Sequence, residues 1–161
     1  MRWFEQQLLG PIYRVAVRLR RRYWSLARPT LVGVRVLAVR GDEVLLVRHR
    51  SGTAPWSLPG GGVERYERLV EAAQREVYEE AGVHIRNAGL LGVYDNFHSG
   101  TSNYVAVFVA DPLGEPRPPR SLEIAEARFF PLDALPTGLE RGSRRRIDEW
   151  RSGGAGLSRL W

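Results

Sequence analysis

No cysteine occurs among the 161 residues, which excludes disulfides, thiolate metal sites and a cysteine nucleophile together. Lysine is missing too, because all 24 basic residues are Arg, a usage from which no function follows. Long apolar runs are also lacking, and none approaches the ~20 residues of a membrane-spanning helix. The first residues show neither the compact apolar stretch nor the small-residue cleavage site of a secretory signal. A cytoplasmic location is therefore expected.

What is present is ordinary for a folded chain: 43% hydrophobic and 26% charged residues, at a length that suits one core. The charge is unevenly placed. Residues 1–28 hold seven Arg and one acid, Glu5, for a net of +6, while the rest of the chain holds 17 Arg and 17 acids. The high isoelectric point thus belongs to an N-terminal arm. Within that arm Ile12, Val15, Leu19, Tyr23 and Leu26 repeat at spacings of three and four, the stripe of an amphipathic helix starting near Pro11 and ended by Pro29. Such a helix could pack on the domain or on a second copy in a homodimer. It could also meet an anionic membrane surface or nucleic acid.

Residues 1–29 are read as this arm, 30–152 as the domain and 153–161 as a flexible tail. Strands are predicted at Leu31–Arg40 and Val44–Arg50 around a Gly41-Asp42 turn, then at about Ala88–Asn96, Tyr104–Ala110 and Ala127–Phe130. Helices are predicted at Arg68–Ala81, stopped by Gly82, and at Arg141–Trp150. Strands interleaved with helices argue for an α/β or α+β fold around a mixed sheet.

The chemistry concentrates between Gly60 and Val83. Gly60, Gly61 and Gly62 let backbone approach a ligand closely. The helix behind them carries Glu76, Glu79 and Glu80, which fall within an arc of about 100° on one side. Val70, Ala73, Val77 and Ala81 form the adjacent face, assigned to the sheet. Clustered carboxylates repel unless a cation intervenes, and Mg²⁺ takes oxygen ligands that it shares with substrate phosphates. A solvated acidic face is the plainer reading of three glutamates alone.

The spacing resembles the Nudix box: Gly, five residues, Glu, seven residues, Arg-Glu-aliphatic, one residue, Glu-Glu, one residue, Gly-aliphatic. Gly61, Glu67, Arg75, Glu76, Val77, Glu79, Glu80, Gly82 and Val83 fill its nine defined positions. Tyr66 stands where many members have Gly. The likeness extends over about residues 30–136. It implies a Nudix-type α/β/α sandwich and hydrolysis of a phosphoanhydride bond in a nucleoside diphosphate linked to another group X. It further implies Mg²⁺, with Mn²⁺ as a substitute, held by Glu76, Glu79 and Glu80, with Arg75 bracing Glu67. The partner is then a nucleotide-type small molecule. A non-catalytic nucleotide-binding module of the same fold is the alternative. Members differ in their general base, for which Glu115, Glu123 and Glu126 are loop candidates, Glu123 the favoured one beside the closing strand. Trp56 could stack on a base or pack in the core. His98, in the Phe97–Asn103 loop with Asn96 and Tyr104 nearby, could contact substrate or stand exposed.

Overall fold

A computed structural model describes residues 30–50, 56–97, 102–117, 123–154 and 156–161. The predicted N-terminal helix and His98 lie outside the described residues.

Val- and Leu-rich alternation builds the strands. They are β1 (Thr30–Arg40), β2 (Glu43–His49), β3 (Trp56–Ser57), β4 (His84–Asp95), β5 (Ser102–Leu113), β6 (Ile124–Pro131) and β7 (Leu157–Leu160). The helices are α1 (Leu69–Ala81) and α2 (Arg141–Arg151). The sheet is mixed, in the order β3-β2-β1-β5-β4-β7, with β6 on β2. Strand β1 runs parallel to β5 from Thr30↔Ser102 to Ala38↔Ala110, whereas β4 and β5 are antiparallel.

Period-two alternation sends the side chains of each strand to opposite faces, and the core divides accordingly. On one face Val34, Val36, Leu45, Val47, Ala106 and Phe108 pack with Ala72, Ala73, Val77 and Ala81 of α1. On the other, Leu37, Val44 and Leu46 meet Ile147 of α2, and Trp150 packs beside Tyr94 and Val107. Helix, sheet and helix therefore form the α/β/α sandwich. Each fully buried Val or Leu contributes about 1.5–3 kcal/mol, so these two faces fix where α1 presents its acids.

The sequence boundaries shift at several points. Strand β4 begins at His84, directly after Gly82 (φ 67) turns the chain out of α1 in the left-handed region. Strand β5 runs on through Asp111 and Pro112 to Leu113, because its edge pairs with β4 at Ile85↔Pro112 and proline loses nothing where its missing N–H is not needed. The largest correction concerns the end of the chain. Residues 157–160, expected as flexible tail, form β7 alongside β4, from Gly92↔Leu157 to Asp95↔Leu160. The free edge of β4 supplies backbone partners that no local pattern announces.

Candidate active site

The glycine loop is pinned to β1 by backbone. Val36 N donates to Pro59 O and Val34 N to Gly61 O, both at 2.9 Å, and Val63 N donates to Val32 O at 3.0 Å. The approach is too close for side chains at two of the three glycines. Gly60 has φ 143, and a Cβ there would lie 2.9 Å from Arg35 Cα. A Cβ on Gly61 would sit 2.5 Å from Glu76 Oε1, whereas Gly62 has open space around it. The loop thus brings backbone against one of the helix carboxylates.

Glu80 is the most enclosed of these acids, 9% exposed, and its Oε2 accepts a hydrogen bond from Gly60 N at 2.8 Å. Burial raises its pKa to about 7, with repulsion from Glu76 and Glu123 adding, against the opposing Gly60 N–H and the Arg35 charge. Glu76 is raised as well, chiefly by burial and against a hydrogen bond from Arg75. A pair of desolvated, mutually repelling carboxylates is a costly arrangement for stability alone, and such perturbed groups gather at functional sites.

Arg75 is the hub of the cluster. Its Nε and Nη2 grip Glu67 at 2.7 and 2.9 Å, the fork geometry of a strong charge-assisted pair. Nη1 donates to Glu76 Oε1 at 2.8 Å and to Glu79 Oε2 at 3.2 Å, and Nη2 also reaches Gly62 O at 3.0 Å. The grip of Arg75, with the Glu64 N–H, holds Glu67 down at about 2, and Glu67 in turn raises the guanidinium above its usual value. The pairing of Arg75 with Glu67 implied by the motif is therefore present. Glu79 projects outward, with 57% of its side chain exposed.

The donors fit a hard divalent cation in kind. Glu76 and Glu80 each keep one carboxylate oxygen with no hydrogen bond among the described residues. Oxygen-only donors suit Mg²⁺. Among the described residues no three acids or histidines converge as a ready-made cation site. The cause lies in the hydrogen bonds: Arg75 draws Glu76 and Glu79 to itself, while Gly60 N holds Glu80.

The three loop acids separate clearly. Glu115 pairs with Arg40 at 2.6 Å and Glu126 with Arg48 at 2.9 Å. Glu123 stands where its charge acts on both Glu80 and His49. Trp56 is 7% exposed and meets Phe130 edge-on at 4.7 Å between centroids, so of its two expected roles it takes the one in the core rather than standing free to stack on a base.

Two neighbours went unnoticed in the sequence. Arg35 donates to the carbonyls of Gly60 and, at 3.4 Å, of Leu58, and its charge acts on Glu76, Glu80 and His49. His49 Nε2 lies 3.2 Å from Ser57 Oγ, and burial lowers its pKa. The available signal for Arg35 was a lone charge inside the apolar run Val32–Val39.

Comparison with known proteins gives a consistent result. The family model described as NUDIX domain matches residues 29–150. The chain is 40% identical over 103 residues to an 8-oxo-dGDP phosphatase of Homo sapiens, covering 61% of this chain and 31% of that protein. It is 45% identical over 74 residues to diphosphoinositol polyphosphate phosphohydrolase 2 of Rattus norvegicus, covering 46% and 41%. The chain thus spans less than half the length of these curated relatives. Among solved structures, the MutT NUDIX hydrolase from Burkholderia pseudomallei superposes with a TM-score of 0.67 at 32% identity, covering 74% of this chain and 97% of that one.

Proposed function

The chain belongs to the NUDIX family, and from that premise we propose that it is a pyrophosphohydrolase, cleaving by water attack a phosphoanhydride bond in a nucleoside diphosphate linked to a further group X. The observation that carries this reading is the burial of Glu80 and Glu76 against the Gly60–Gly61 backbone, inside a complete box. The relatives' names span an 8-oxo-dGDP phosphatase and a diphosphoinositol polyphosphate phosphohydrolase, both of which act on diphosphate groups.

Glu76, Glu79 and Glu80 are the residues that would hold Mg²⁺, with Mn²⁺ as a substitute; when bound, such an ion neutralises the diphosphate and lowers the pKa of water. The chain's own groups do the rest. Arg75 fixes Glu67 by a two-point grip and holds Glu76 and Glu79 through its other nitrogen, so a cation would compete with the guanidinium for these two carboxylates. Gly60 N–H orients Glu80. Arg35, beside the Gly60 carbonyl, offers a cation to the phosphates. Glu123, in front of β6, accepts the proton of the attacking water. Positioning and charge stabilisation dominate phosphoryl transfer, so this set is sufficient in kind.

The test is turnover in Glu79→Gln and Glu80→Gln. Both substitutions keep size and fold, and each is expected to lower kcat with Mg²⁺ by at least about a hundredfold. Unchanged activity in both would reject the assigned carboxylates.

A further inference from the structure

The segment that leads into the glycines is tied to the start of α2 as well as to β1. Glu140 N donates to Trp56 O at 2.8 Å, and Leu58 N donates at 3.1 Å to the hydroxyl of Ser143, a residue with no exposed surface. That hydroxyl donates in turn to Glu140 Oε2 at 2.7 Å. Ser143 therefore spends its single proton on the carboxylate and a lone pair on the loop amide. Arg35 donates to Leu58 O at 3.4 Å and to Gly60 O, and Gly60 N holds Glu80 Oε2 at 2.8 Å.

Glu140 is held in its turn by the segment that pairs with the edge of β4. Trp161, directly after β7, donates its backbone N–H to Asp95 O at 2.8 Å, and its carbonyl accepts from Arg145 Nη1 at 3.0 Å. Its indole Nε1 donates to Glu140 Oε1 at 3.4 Å. The ring lies against the first turn of α2 at Gly142, where a Cβ would collide with it. Arg146, 1% exposed, lies 3.8 Å from the centre of the Tyr94 ring and 5.4 Å from that of Trp161, and it donates to Leu160 O at 3.4 Å. Four residues of parallel edge strand gain little from backbone pairing alone. The indole seated on Gly142 and the buried guanidinium supply what the short strand lacks.

We propose that β7 and Trp161 form a clasp that sets the glycine loop, with Trp161, Glu140 and Ser143 as positioning residues for Glu80. The path is continuous. It runs from the indole N–H to the Glu140 carboxylate, on to the Ser143 hydroxyl and the Leu58 amide, then along two residues of backbone to the Gly60 N–H that grips Glu80. After the first link each hydrogen bond is 3.1 Å or shorter. Such bonds gain strength away from water, and removing one partner leaves the next group unsatisfied. The loop has little room to absorb a shift, because Gly60 sits at φ 143 where even a Cβ would lie 2.9 Å from Arg35 Cα. The effect of the clasp on turnover rests on the hydrolase reading above; its effect on the loop does not.

The experiment is amide hydrogen exchange of the full, metal-free chain, read residue by residue by NMR, in Gly142→Ala, Trp161→Ala and Ser143→Ala. Gly142→Ala is the cleanest of the three. Alanine is a better helix former than glycine, and its Cβ evicts the indole without removing any hydrogen-bonding group. Exchange at Leu58 and Gly60 is expected to speed up about five- to tenfold in each variant, the weight of one buried hydrogen bond. Val77 of α1 and Leu45 of β2, both in the core, keep the parent rate. With Mg²⁺ and a nucleoside diphosphate derivative that the parent hydrolyses, kcat falls by a similar factor while KM stays within about twofold. Parent exchange rates at Leu58 and Gly60 in folded Gly142→Ala and Trp161→Ala chains overturn the proposal. Equal acceleration at all four amides overturns it too, since the segment would then prop the whole fold rather than the loop. A loosened loop with kcat unchanged removes the positioning role. A loosened loop in a protein whose parent form hydrolyses nothing sinks the hydrolase reading and leaves the clasp standing.

Discussion

Replacing Glu80 by Gln should make the metal-free protein more stable above neutral pH. In the folded chain the Glu80 carboxyl is raised from 4.5 to about 7, mainly by burial. A carboxyl with a raised folded pKa binds more protons folded than unfolded, so stability falls as pH climbs from about 4.5 to about 7. Below that window Glu80 is neutral in both states and carries no penalty. Above it the full cost stands, about 3 kcal/mol at ~1.4 kcal/mol per pH unit. Gln is neutral throughout and its side-chain oxygen still accepts the Gly60 N–H. At about 3 °C per kcal/mol for a domain of this size, Glu80→Gln gains roughly 9 °C in Tm at pH 8 in EDTA. It gains nothing at pH 4. Mg²⁺ should then raise the Tm of the parent and leave the variant nearly unmoved. The assay is thermal unfolding at pH 4, 6 and 8 with EDTA or Mg²⁺. A variant less stable than the parent at pH 8 in EDTA would mean that the buried Glu80 carboxylate carries no desolvation cost.

Three further substitutions probe other parts of the structure. Glu123→Gln is expected to lower kcat by about 10²–10⁴ with KM little changed, the loss of a general base, and an unaltered kcat would remove Glu123 from the reaction. Tyr66 sits at φ 65 with its ring 97% exposed, so Tyr66→Gly should relieve left-handed strain and raise stability by about 1 kcal/mol in denaturant unfolding; a loss would show that the ring contributes contacts. Trp56→Ala is expected to cost about 3–5 kcal/mol in denaturant unfolding by emptying the space against Phe130, and a cost below about 1 kcal/mol would show that the ring is not part of the core.

The box helix was legible from sequence because two independent patterns coincide on it. Period-3.6 apolar positions mark the face against the sheet, and the fixed offsets of Glu67, Arg75, Glu76, Glu79 and Glu80 mark the acids. Strand positions were legible from Val and Leu runs, but pairing was not. That β1 lies parallel to β5, with Thr30 opposite Ser102, depends on contacts far apart in the chain. Residues 153–161 read as tail because glycine dominates their start, and only the open edge of β4 makes a strand of 157–160. Arg35 escaped notice for the same reason, since its partners, the carbonyls of Leu58 and Gly60, are brought to it by topology. Tyr66 is the reverse case. Its departure from the glycine common at that position was visible in sequence, and the positive φ supplies the cause.

Hydrolysis by this chain is read directly by incubating it with a panel of deoxynucleoside di- and triphosphates (oxidised ones included), nucleotide sugars, ADP-ribose and a diphosphoinositol polyphosphate, with Mg²⁺ or EDTA, and measuring product release. The expected result is Mg²⁺-dependent release of a nucleoside monophosphate from a base-bearing member, lost in Glu80→Gln. Tight binding of a panel member with no cleavage of any would contradict it and make the chain a nucleotide-binding module instead.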